Sequence, residues 1–84
     1  MKRKQIAAAN WKMNLTLTEG LNLVDSIINQ SIRLEDHQEV LIGVPFPYLH
    51  SLQLKLDSVD GFRICAQNVA ATNNGAYTGE VSAT

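Results

Sequence analysis

Two short apolar runs without alternation, residues 6–9 and 40–44, and a third strand-like run, residues 62–66, are separated by two stretches whose apolar positions recur at helical spacing. Runs of that length and evenness suit strands buried on both faces, as in parallel sheets. Between the first two runs, Thr16-Leu17-Thr18-Glu19 has capping-box spacing, in which the hydroxyl and the carboxylate each satisfy an otherwise unpaired backbone donor. A helix therefore starts there. Leu17, Leu21, Val24 and Ile28 follow at i, i+4, i+7 and i+11, with Ile27 widening the stripe and Glu19, Asn22, Asp25 and Asn29 on the other side. Gly20 costs this helix about 1 kcal/mol relative to Ala, so packing must carry it. A second helix is expected over about residues 47–56, with Pro47 at a first position that needs no donor. It buries Leu49, Leu52 and Leu56, exposes His50 and places Lys55 favourably in its last turn. The pattern is βαβαβ, which implies parallel strands joined by right-handed crossovers.

Beyond the third run, residues 69–84 show no period. Loops of that length are usually functional or disordered. One reading makes Asn74-Gly75 the type I′ turn of a hairpin with weak strands on either side; the other leaves the stretch as a long loop. Val81-Ser82-Ala83-Thr84 resembles a helix amino-terminus with Ser82 as its cap, so the chain is expected to stop mid-element.

At 84 residues the chain is long enough for one small domain that buries somewhat over ~60% of its unfolded surface. The net charge is −1, from seven basic and eight acidic residues that are scattered, which gives no electrostatic case for a nucleic acid or an anionic membrane. Lys2, Arg3 and Lys4 form a basic run, but the apolar segment behind it stops at Ala9, short of the ~7 to 15 residues a signal peptide needs. A cytoplasmic protein is expected. Cys65 is alone in a strand-like run and is expected to be a buried, reduced thiol. His37 falls in a polar segment with no second ligand at metal spacing and is expected to be solvated.

In a βαβαβ unit the ligand site lies at the carboxyl ends of the strands. Here those ends present Asn10 and Lys12 from the first strand and Gln67 and Asn68 from the third, while the second ends in Val44 and Pro45. A strand-end lysine suits an anionic group, a phosphate or a developing oxyanion, and Asn10 can donate to the same oxygen. The alternative is that both residues merely satisfy loop backbone and solvent.

Asn10-Trp11-Lys12-Met13-Asn14, together with Ala76-Tyr77-Thr78-Gly79-Glu80-Val81-Ser82, closely resembles the amino-terminal part of triosephosphate isomerase, and the similarity runs over essentially the whole chain. The resemblance implies an α/β fold, the first βαβαβ section of a (β/α)8 barrel, in a chain that holds about a third of one. It implies an isomerase interconverting dihydroxyacetone phosphate and glyceraldehyde 3-phosphate through an enediol, a small phosphorylated triose as substrate, and no cofactor or metal. Asn10, Trp11 and Lys12 would form the substrate-contacting segment, with Lys12 neutralising charge and Trp11 mostly packing. Gln67 would support them from behind, or be no more than a satisfied amide at a strand end. Tyr77, Thr78, Gly79 and Glu80 would reach into the second subunit of a homodimer, where the residue like Thr78 buttresses the partner's site and the one like Glu80 pairs with an arginine later in the family's chain. The family's catalytic imidazole and base carboxylate also lie later; neither His37 nor His50 matches the first, and no acidic residue here matches the second. A non-catalytic truncated barrel fragment is the alternative, and a different barrel enzyme acting on a phosphorylated substrate is a third reading.

Overall fold

The computed structural model describes residues 2–84. Strands β1 (Gln5–Asn10), β2 (Gln38–Val44) and β3 (Phe62–Ala66) form a parallel sheet in the order β1-β2-β3, with helices α1 (Leu17–Asn29) and α2 (Leu49–Leu56) in the two crossovers. This is an α/β unit with the sheet left open. β2 begins two residues ahead of its apolar run because Gln38 pairs in register with Gln5, and its amide donates to Gln5 Oε1 at 3.0 Å.

The capping box forms as its spacing requires. Thr16 N–H donates to Glu19 Oε1 at 2.8 Å and Glu19 N–H donates to Thr16 Oγ1 at 3.2 Å. The first of these bonds does most to hold the Glu19 carboxyl below its ordinary pKa. From there α1 turns Val24 into a core shared with Ile42 and Val44 of β2, Leu52 and Leu56 of α2, and Phe62 of β3. Each such side chain, fully buried, is worth about 1.5–3 kcal/mol. Lys55 Nζ lies 2.6 Å from Asp25 Oδ1 and ties the two helices together across the protein surface.

The core is one-sided, and that corrects two expectations. Val40, Ile42, Val44, Phe62 and Ile64 belong to the packed side, so the alternation of the pleat sends Leu41, Gly43, Arg63 and Cys65 to the other face. No helix covers that face among the described residues, and Cys65 is exposed rather than buried. All six residues of β1 are likewise exposed: β1 is an edge strand, and a run of three alanines does not reach into the helix layer.

Two smaller differences are local. A 3-10 turn, Phe46–Tyr48, absorbs Pro47 before α2 starts at Leu49. Residues 69–84 contain neither strand nor helix, so the Asn74-Gly75 hairpin does not form. The loop is instead closed by Ala70 N–H donating to Val81 O at 2.8 Å.

Candidate functional site

Parallel pairing brings the carboxyl ends of all three strands to one edge, and the ladder runs one residue past β1 because Trp11 N–H donates to Gly43 O at 3.0 Å. The backbone then turns sharply. Lys12 has φ +56° and Leu15 φ +71°, left-handed values that cost a residue with a side chain about 1–3 kcal/mol each unless its surroundings enforce them.

Four side chains supply that enforcement. Asn10 Oδ1 accepts from Lys12 N–H at 2.9 Å, an Asx turn built on the last residue of β1. Asn14 Nδ2 donates to Trp11 O at 2.9 Å. From β3, Gln67 Nε2 donates to Lys12 O at 3.0 Å and to Gly43 O at 3.3 Å, so one amide clamps the loop to the end of β2. From the 3-10 turn, the Tyr48 hydroxyl donates to Leu15 O at 2.8 Å. Below them the half-buried Trp11 indole rests on Gly20 of α1, where an added Cβ would stand 2.7 Å from Cζ3. A glycine that looks costly to a helix is thus the seat of the indole.

Lys12 itself is exposed and forms no ion pair with the described residues. Its backbone is held from several directions while its charge is left open. No described residue accepts a hydrogen bond from Asn10 Nδ2, so an amide donor is also left facing outward. Gln67 and Asn68 border an apolar concavity of about 250 Å³ together with Pro45, Phe46 and Pro47. Lys12 and Asn10 do not line that concavity; an exposed ammonium and an open amide donor at one sheet edge can bind a small anionic group. The imidazoles lie elsewhere: His37 precedes β2 at the opposite end of the sheet, half-buried, its carbonyl accepting from Gln5 N–H at 2.8 Å, and His50 is exposed on α2. The expectation of a solvated His37 is corrected, because pairing with β1 draws its turn against the sheet.

The 69–84 loop is organised by its own residues. Glu80 N–H donates to Tyr77 O at 3.0 Å across a turn whose third position is Gly79 at φ +90°, which only glycine adopts without strain. Tyr77 stays more than half exposed, with its ring against Gly75. Ser82 Oγ accepts from Thr84 N–H at 3.3 Å, as a helix cap would, although the described residues form no helix there. Thr78 and Glu80 are exposed, and no described residue forms an ion pair with the Glu80 carboxylate.

The sequence model of the triosephosphate isomerase family matches residues 5–84, nearly the whole chain. The chain belongs to that family. It is 43% identical over 81 residues to a triosephosphate isomerase of Porphyromonas gingivalis, which is 96% of this chain and 32% of that protein. It is 41% identical over 81 residues to the Bacteroides fragilis triosephosphate isomerase and 40% identical over 87 residues to that of Colwellia psychrerythraea, again 32% of each relative. The chain thus spans about a third of the length of the relatives it matches. Membership in the triosephosphate isomerase family fits the open α/β sheet as a barrel section. No helix of the described residues is long and apolar enough to cross a membrane.

Tyr48 and Gly20 are the two residues of this site that sequence reasoning missed. A glycine inside an amphipathic helix is a signal that some partner approaches closely. Tyr48 carries no such signal, because its partner Leu15 is 33 positions away.

Proposed function

We propose that this chain is the amino-terminal part of a cytoplasmic, homodimeric isomerase of glycolysis and gluconeogenesis. It interconverts dihydroxyacetone phosphate and glyceraldehyde 3-phosphate by moving a proton through an enediolate. The observation that carries this reading is Lys12: a cation that pairs with no described residue, at the carboxyl edge of a parallel sheet, on a backbone tied down from β3 and the 3-10 turn. Family membership supports the same substrate class. In this reading Lys12 neutralises charge on the substrate and on the enediolate, Asn10 donates to the same anionic group, and Trp11 packs the segment in place. Gln67 holds the Lys12 carbonyl and does not touch substrate.

A fixed cation that meets charge growing toward the transition state lowers the barrier more than it strengthens substrate binding. Lys12→Met in the full-length enzyme keeps the stem and deletes the charge. Loss of one such preorganised partner costs about 2.7–4 kcal/mol, a fall of about a hundredfold to a thousandfold in kcat. Steady-state kinetics with a parallel melting curve test this; unchanged turnover, or a loss explained wholly by unfolding, overturns the reading.

The Tyr77–Glu80 turn is the dimer contact in the same proposal. Thr78→Arg adds length and charge that a close-packed interface accommodates only with strain and desolvation. Weaker dimers and lower activity are expected together in ultracentrifugation and kinetics. An unchanged dimer with full turnover would place this turn elsewhere.

A further inference from the structure

We infer that Tyr48 is a positioning residue for Lys12, acting through the backbone of the 11–15 loop. The inference rests on the reading of Lys12 given above and goes beyond it. Two left-handed residues, Lys12 and Leu15, bracket the loop, and each must be held by contacts from outside it. At the Lys12 side the contacts are several: Asn10 Oδ1 on its N–H and Gln67 Nε2 on its carbonyl. On the Leu15 side, the described residues supply one tertiary hydrogen bond, from the Tyr48 hydroxyl at 2.8 Å.

The route by which Tyr48 reaches this point is specific. Pro45 ends β2 and begins the 3-10 turn, in which Tyr48 N–H donates to Pro45 O at 3.0 Å. The ring packs against the hydrophobic core, so the hydroxyl is delivered from a fixed base. On the other flank, Trp11 fills the space that Gly20 leaves open. The loop is therefore gripped at both ends, by an indole in a glycine seat and by a phenol on a carbonyl, with the lysine between them. The Tyr48 hydroxyl is engaged on the Leu15 carbonyl, so in this inference its effect on an anion passes through the φ values of the loop.

The test is Tyr48→Phe in the full-length enzyme, which removes one oxygen and leaves the packed ring. A single neutral hydrogen bond to a backbone carbonyl is worth about a twofold to tenfold effect when removed. A fall in kcat/KM of that size is expected, with amide exchange at residues 11–15 accelerated by a similar factor and the melting curve little moved. The decisive arm is the double variant Tyr48→Phe with Lys12→Met: if Tyr48 works through Lys12, its effect on kcat/KM disappears once the ammonium is gone. An equal effect of Tyr48→Phe in both backgrounds overturns the inference while leaving the reading of Lys12 intact. If Lys12→Met alone changes nothing, the functional reading fails, and unaltered exchange at 11–15 in Tyr48→Phe would overturn the loop-holding role as well. Gly20→Ala offers the same test from the other flank, since pushing Trp11 aside should lower kcat/KM in the parent and not in Lys12→Met.

Discussion

The two ends of the sheet hold their charges in opposite ways. At the amino-terminal end three cations lie against carboxylates: Lys4 and Arg63 lie 3.3 and 3.5 Å from Glu39 Oε1, and Lys2 lies 3.6 Å from Glu35, while Arg3 forms no ion pair with the described residues. At the carboxyl-terminal end the loop is held by neutral amides and a phenol, all aimed at backbone carbonyls or N–H groups, and Lys12 pairs with no described residue. A cation already neutralised offers little to a ligand. One whose backbone is fixed by uncharged partners keeps its full field for whatever enters, and this contrast favours the carboxyl edge as the site.

Deleting one charge at each end breaks the comparison most directly. Lys12→Met should lower kcat by the hundredfold to thousandfold given above, whereas Lys4→Met, which removes an exposed ion pair worth ~1 kcal/mol or less, should leave turnover unchanged. Equal kinetic losses at the two ends would erase the distinction.

Next in size is the seat of Trp11. Propensity alone makes Gly20→Ala stabilising by about 1 kcal/mol, but the new methyl would meet the indole at 2.7 Å, and overpacking of a filled site costs about 1–3 kcal/mol. A net loss is expected, read as a lower denaturant midpoint. A gain would mean that the indole is free to move and that the loop is held less firmly than the lysine requires.

The smallest effect belongs to the ion cluster. The hydrogen bond from Lys4, with weaker help from the Arg63 charge and against some desolvation, holds the Glu39 carboxyl below its ordinary pKa. A depressed folded-state pKa contributes stability that is complete above the ordinary carboxylate range and is lost as pH falls through the folded value. The melting temperature of the parent should therefore exceed that of Glu39→Gln near neutral pH, and the gap should close on acidification and shrink in high salt. A gap that widens in acid would reverse the sign of this interaction.

How much of this was legible beforehand follows from the range of each interaction. The capping box, the stripe of α1 and the three strand-like runs depend on neighbours within about four positions, so the sequence by itself determined that these elements form and that polar side chains follow β1 and β3. Asn10 and Lys12 could be singled out for the same reason. What lies on each face could not: β1 and Cys65 look like core by composition, yet burial needs a covering layer, and only the packed side of the sheet has one. The brace around Lys12 was hidden from spacing and period: Gln67, 55 positions away, was placed behind the segment only through the family resemblance, and Tyr48, which reaches Leu15 across 33 positions, was not singled out at all. Contacts that distant leave no period or spacing in a chain. The tertiary structure alone decided that a helix glycine, a tyrosine and a strand-end amide meet around one lysine, since only the parallel register and the packing of α1 and α2 bring their carriers to the same edge.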